Sequence, residues 1–314
     1  MKTKMKLLLR KTLYLLLIPP IVFLIGLLLP PTPLGKAYLL CAKPAKDSLL
    51  QNVKKPRIIF IAGSSMSFGL NSQIIKDSLH LNPINTGTHG GTGLYFMIDN
   101  TEKYIQSGDV IVLIAEYHQF YGNFADGGNE LLRVIFDNSE PLSFLKLRKN
   151  QFLKTYPYIP KYAMQKFIPA QYFNIKMDPV YSKKCYNQYG DAVAHWDIKR
   201  EGKVVPFNTI EGGDFNFDLL KSIVAFNKTV QSKGALLLVS FPPYQEESFN
   251  NCKDQIHFIE KELRNQDLKI IGTPERYIMT DDMIYDTPYH TNKNGANRRT
   301  QLLLEDLKNV LNLQ

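Results

Sequence analysis

Two short blocks at opposite ends of the chain carry residue types that work together in acyl transfer. Gly63-Ser64-Ser65-Met66-Ser67-Phe68-Gly69 sets serines on the turn between an apolar run and an amphipathic one. In open α/β sheets, sites form at the carboxyl ends of strands, and a helix starting there offers backbone N–H groups to a developing anion. A serine in that place can be a nucleophile, although serine is also a common helix N-cap. Asp286-Thr287-Pro288-Tyr289-His290-Thr291-Asn292 supplies the rest: a histidine to take the serine's proton and a carboxylate to orient and stabilise the imidazolium. Pro288 marks this segment as an extended or turned loop. Glu116 and Tyr117, just beyond another apolar run, are expected to line the pocket, with His89 and His118 as supporting groups. Gly87, Gly90, Gly91 and Gly93 lack the Gly-Lys-Ser/Thr of a phosphate loop, so no nucleotide cofactor is expected. The histidines show no metal-ligand spacing, so no metal is expected either.

Strands and helices must alternate to place these blocks side by side. Residues 57–62 (RIIFIA) read as a strand, the glycine-serine turn follows, and 67–81 has helical periodicity. A second strand at 83–85, a helix over 94–106, a turn at 107–109 and a strand at 110–115 repeat the rhythm. It returns with a strand at 235–241, a helix over 255–265, a short strand at 268–271 and a closing helix at 297–313. The alternation predicts an α/β fold with a mostly parallel sheet covered on both faces. Between about 121 and 213 the rhythm disappears, which marks a long insertion.

The first 46 residues hold eight basic side chains and no acidic one, and residues 12–35 carry no charge. As a helix, that uncharged stretch is long enough to cross a hydrocarbon core of about 30 Å, even with Pro19-Pro20 inside it. The basic flank is expected to stay in the cytoplasm, placing the main domain in the periplasm or outside the cell. A cleaved signal peptide is the rival reading, but no small-x-small cleavage site follows the apolar run. Residues 1–35 are therefore read as cytoplasmic tip and transmembrane anchor, 36–56 as a linker and 57–314 as the α/β domain.

The overall charge of +9 is concentrated in the anchor's flanks, since residues 47–314 net only +1, and nucleic acid is not an expected partner. Within the insertion, residues 144–189 hold eleven aromatics and nine Lys or Arg against the single acid Asp178. Such a stretch can stack on sugars and attract anionic polymers or headgroups, or it can pack its rings inward with lysines in solvent. Cys185 and Cys252 can pair in an oxidising compartment or remain buried thiols.

Together with Asn85-Thr86-Gly87, the serine block and the Asp286–His290 loop resemble the SGNH (GDSL-like) hydrolase family, and its membrane-anchored branch more closely, typified by alginate O-acetylation and D-alanyl-lipoteichoic-acid proteins. The likeness covers residues 57–117 and about 234–312. It implies a three-layer α/β/α, flavodoxin-like sheet, a serine nucleophile, an oxyanion N–H from Gly87, and Asp286 with His290 as the rest of the triad. The common spacing to Gly69 selects Ser65, and the spacing of the anchored branch selects Ser64. The family's third block, Gly-x-Asn-Asp, is replaced by Ala115-Glu116-Tyr117-His118, so its oxyanion asparagine is missing, and the Asp-to-His spacing is one residue longer than usual. The resemblance implies a serine acyl esterase or O-acetyltransferase acting on an envelope polysaccharide, alongside a membrane-bound O-acyltransferase. The alternative is a non-catalytic glycan-binding or assembly subunit.

Overall fold

A computed structural model describes residues 2–173 and 175–312. It is a mixed α/β structure around a four-stranded sheet in the order β2-β1-β3-β4. The strands are β1 (Arg57–Ala62), β2 (Asn82–Asn85), β3 (Val110–Ile114) and β4 (Leu236–Ser240), and every pairing is parallel. Pro83 lacks a backbone donor, which suits β2 to its place at the sheet edge.

β1, β3 and β4 are almost wholly apolar because both faces are covered, and the exception in β1, buried Arg57, is paired with Asp109. On one face Ile59, Ile61, Ile111, Leu113 and Leu237 pack with residues of α5 (Leu94–Glu102) and α9 (Phe217–Ser232). On the other, Ile58, Phe60, Val112, Ile114 and Leu238 meet Ile75 and Leu79 of α4 (Ser72–Leu79) and Leu303 and Leu307 of α11 (Lys293–Leu311). Further helices, in chain order, are α1 (Lys2–Leu28), α2 (Lys43–Asn52), α3 (Ser64–Ser67), α6 (Asn129–Asp137), α7 (Lys149–Thr155), α8 (Ile159–Gln165) and α10 (Lys253–Arg264), with two short unlabelled ones at Pro33–Ala37 and Glu246–Asn251. Helix α1 is long and apolar enough to span a membrane, with mean hydropathy 2.5 over its candidate span.

Three expectations need correction. The helix read over 67–81 is two helices, α3 and α4. They are broken at Gly69, where a Cβ would lie 2.3 Å from Ser65 O. Helix α4 restarts because Asp191, from the insertion, accepts hydrogen bonds from both Ser72 N and Ser72 Oγ at 2.8 Å. The strand read at 268–271 is reduced to a single parallel bridge from Ile270 to Val239. The closing helix starts at Lys293, because Asn292 accepts a hydrogen bond from Gly295 N as its N-cap. Leu313 lies outside the described residues.

The segment read as a linker, 36–56, is instead packed on the domain through α2. Lys46 is 4% exposed, donates to Asn85 O at 3.0 Å and Gly190 O at 2.7 Å, and lies over the Tyr186 ring. Burial pushes its pKa down from 10.5 to about 7, against the pull of the Asp191 charge. Between those two values the unfolded chain holds a proton that the folded chain does not, so folding stability rises with pH across that window. A single site contributes at most about 1.4 kcal/mol per pH unit there, and below the folded value its contribution is constant. Lys46→Met in the full chain should lose this part of the slope. Denaturant unfolding of both proteins in detergent across the window checks it, and coincident slopes would refute the assignment.

Between β3 and β4, residues 121–213 contain α6, α7, α8 and short turns, and among the described residues none joins the main sheet. Cys41, Cys185 and Cys252 are free thiols.

Candidate active site

The main chain leaves β1 at Gly63, which serves as the N-cap residue of α3, and Ser64 is the first residue of that helix. The two serines differ in access. Ser64 is partly exposed, whereas Ser65 is fully buried and its hydroxyl has no hydrogen-bond partner. Only Ser64 presents its oxygen to an incoming group.

That oxygen is held by Glu116. Ser64 Oγ donates to Glu116 Oε1 at 3.1 Å, and the backbone N–H of Ser65 donates to the same oxygen at 2.8 Å. Glycines surround the carboxylate: a Cβ at Gly63 would come within 2.7 Å of Oε1, and one at Gly90 within 2.0 Å of Oε2. Glu116 is only 5% exposed. It follows β3 directly, where the resembled family has its third block, and there a carboxylate now accepts from a backbone donor.

The second half of the site is the loop before α11. His290 Nδ1 lies 2.8 Å from Asp286 Oδ1, and because a carboxylate only accepts, Nδ1 carries the proton. In the neutral ring Nε2 is then the free base, and it makes no hydrogen bond among the described residues. The imidazole stacks on Phe68, with centroids 4.2 Å apart and planes 8° from parallel. Thr291 Oγ1 donates to Phe68 O at 3.0 Å and ties the loop down. Phe68 lies four residues after Ser64, and its N–H bonds Ser64 O, so His290 rests on the helical face that carries Ser64. Ser64 and His290 are not hydrogen-bonded to each other in this arrangement.

Burial alone would raise the Asp286 carboxyl. The hydrogen bond from His290, its charge, and a hydrogen bond from the Tyr181 hydroxyl outweigh burial and hold it below the ordinary aspartate value. Tyr181 comes from the insertion. So does His195, whose Nε2 donates to Thr291 O at 2.8 Å and whose ring packs on Phe68. Burial pushes His195 down to about 4, which keeps it neutral beside the loop. Nothing in the local sequence marks Tyr181, His195 or Asp191 as partners of the two blocks.

Two of the other expected groups sit differently. Tyr117 does not line a pocket: it is fully buried, edge-on to Tyr244, and its N–H donates to Tyr289 Oη at 3.0 Å. Gly87 N–H donates to Asn85 Oδ1 at 3.0 Å and is therefore engaged rather than free for an oxyanion. What requires glycine at 87 is packing, since a Cβ there would lie 2.6 Å from Gly63 O. His89 is half-buried and accepts from Gly91 N through Nδ1, which leaves Nε2 to carry the ring proton. Burial lowers its pKa, as it does that of His118, which touches Tyr289 Oη.

Beside Asp286 opens a cleft of about 620 Å³, lined by Lys199, Arg200, Lys203, Phe207 and Pro288 among others. Arg200 is paired with Asp281 at 2.6 Å.

No family model, no curated protein and no solved structure matches this chain.

Proposed function

We propose that the protein is a membrane-anchored serine acyl esterase or O-acyltransferase of SGNH-like, three-layer α/β/α architecture. Its substrate is an acyl group, acetyl by preference, on a cell-envelope polysaccharide. The observation that carries this reading is a partly exposed Ser64 at a strand-to-helix turn together with an Asp286–His290 hydrogen bond whose imidazole stacks on Phe68, four residues after Ser64. Ser64 Oγ turns from Glu116 toward His290 Nε2, loses its proton there and attacks the acyl carbonyl. The imidazolium, stabilised by Asp286, returns the proton to the departing alcohol. Water or a sugar hydroxyl then takes the acyl group from Ser64. The lysine-rich cleft beside Asp286 receives the acceptor.

In this reading α1 holds the site at the membrane with the N-terminus in the cytoplasm and the main domain in the periplasm or cell exterior. A membrane-bound O-acyltransferase that hands over the acyl donor is the corresponding partner. Treating the full chain with a fluorophosphonate probe and mapping the adduct by mass spectrometry tests the chemistry. Modification at Ser64 that requires His290 is expected, and a chain that stays unmodified at saturating probe contradicts the proposal.

A second reading is favoured by one specific observation. Glu116 occupies the donor that an oxyanion needs, and Ser64 is bonded to it rather than to His290. A subunit that keeps the fold but binds glycan without turnover would look the same. Retention on immobilised polysaccharide in a chain that resists the probe identifies that case.

A further inference from the structure

The insertion is built onto the end of α1. Gly26 makes this possible: a Cβ there would fall 2.5 Å from Ala163 O and 2.9 Å from Phe167, so the backbones of α1 and α8 approach closely at this point. Phe23 and Leu27 of α1 pack with the cluster of Leu131, Leu132, Ile159 and Tyr162. Lys166 Nζ reaches Pro30 O at 3.0 Å and Leu29 O at 3.3 Å, satisfying carbonyls that the helix end leaves open.

At this junction lies an apolar cleft of about 510 Å³, bounded by Leu27, Leu29, Pro31, Phe136, Leu142 and Leu145. Its rim is exposed to a degree unusual for leucine: Leu28 is 76%, Leu142 73% and Leu145 77% accessible. Phe167 and Phe173 add exposed aromatic surface from the same insertion, and Lys146, Lys161 and Lys176 are exposed cations on it.

The depth of the cleft follows from the length of α1. Its uncharged part, residues 12–28, rises roughly 26 Å at 1.5 Å per residue, less than a hydrocarbon core of about 30 Å. If Arg10 and Lys11 sit among the headgroups of one leaflet, Leu28 ends within the acyl chains of the other. Leu142 and Leu145, against the same helix end, then lie at acyl-chain depth.

We propose that this cleft is a lipid site: an acyl chain of a bilayer phospholipid fills it, and the lysines of the insertion meet the phosphate headgroups above. The charge fits, since anionic surfaces attract basic clusters. The assignment rests on α1 spanning the membrane.

Depth-resolved fluorescence tests it in the full chain reconstituted into phosphatidylcholine–phosphatidylglycerol nanodiscs, with and without mid-chain brominated acyl groups. In a Trp196→Phe background, single tryptophans replace Leu142, Leu145, Leu16 in the middle of α1, and Gln301 on the exposed side of α11. Leu142→Trp and Leu145→Trp are expected to lose emission in brominated lipid to an extent comparable with Leu16→Trp, while Gln301→Trp keeps its emission. If Leu16→Trp is quenched and both cleft positions behave like Gln301→Trp, the lipid site is wrong and the cleft is covered by protein, whether a second copy or another chain. If Leu16→Trp itself is unquenched, the spanning reading fails and the lipid site falls with it.

Discussion

Ser64→Ala is expected to abolish hydrolysis of a chromogenic acetyl ester, lowering kcat/KM on the order of 10³-fold or more, while Ser65→Ala leaves it close to the wild-type value. A thousandfold loss corresponds to about 4 kcal/mol of transition-state stabilisation and is a lower bound, since removing an attacking serine costs on the order of 10⁶-fold in kcat where it has been tested. The two serines are adjacent, yet the expectation separates them because the Ser65 hydroxyl is sealed in the interior and Ser64 alone is accessible. His290→Ala should fall to a similar level. Combining it with Ser64→Ala should cost little more, since residues that act as a unit are not additive. Steady-state kinetics on the four proteins decide the matter. Wild-type activity in Ser64→Ala would end the catalytic assignment.

Glu116→Gln is expected to raise the turnover of the same ester on the order of 10- to 100-fold. In the native arrangement the carboxylate takes the Ser65 N–H and the Ser64 hydroxyl, and it places negative charge where the tetrahedral intermediate develops its own. An amide of the same shape removes the charge, while its oxygen keeps the Ser65 N–H and its N–H₂ takes the place of Oε2 beside Gly90. The expected gain is smaller than the roughly 10²- to 10³-fold loss seen when one oxyanion donor is deleted elsewhere. Gly63 and Gly90 leave room for a side chain of this size and for little else, so glutamine is the substitution to make. The double variant Ser64→Ala/Glu116→Gln must be inactive, which ties any gain to Ser64. A fall in kcat would mean instead that Glu116 takes the Ser64 proton itself.

β1, β3 and β4 were legible because each is a short, mostly apolar run bounded by turn residues, and a parallel sheet buried on both faces leaves that pattern in one dimension; β2, Asn-Pro-Ile-Asn, is legible only from its place in the repeating order of strand, turn and helix. Local pattern failed where a distant group decides the outcome. The restart of α4 at Ser72 depends on Asp191, and the docking of 36–56 depends on carbonyls of Asn85 and Gly190. Residue type pointed to Ser64 or Ser65, Asp286 and His290 as candidates, since few side chains can serve as nucleophile, orienting carboxylate and base; the exposure of Ser64 and the Asp286–His290 hydrogen bond come only from the fold. It was not enough for Gly87, whose N–H is already taken by a side chain two residues away, or for Tyr117, whose polar atom points into the core. Tyr181 illustrates the general limit: it contacts Asp286 from 105 residues away in sequence, in a stretch with no periodicity.

The contact at Gly26 also governs heading. Successive residues of a helix are turned by about 100°, so adding one residue to α1 ahead of Gly26 would rotate its membrane-facing surface by that amount relative to the domain clamped to its end. Since α8 grips α1 directly, the domain is not joined to that helix by a free tether, and with α1 spanning a bilayer, as proposed, it would hold one bearing and one depth relative to it. Under the proposed function, a substrate would then have to be delivered to a fixed address, and polymer lying farther from the membrane than that reach would stay inaccessible however long the encounter lasts.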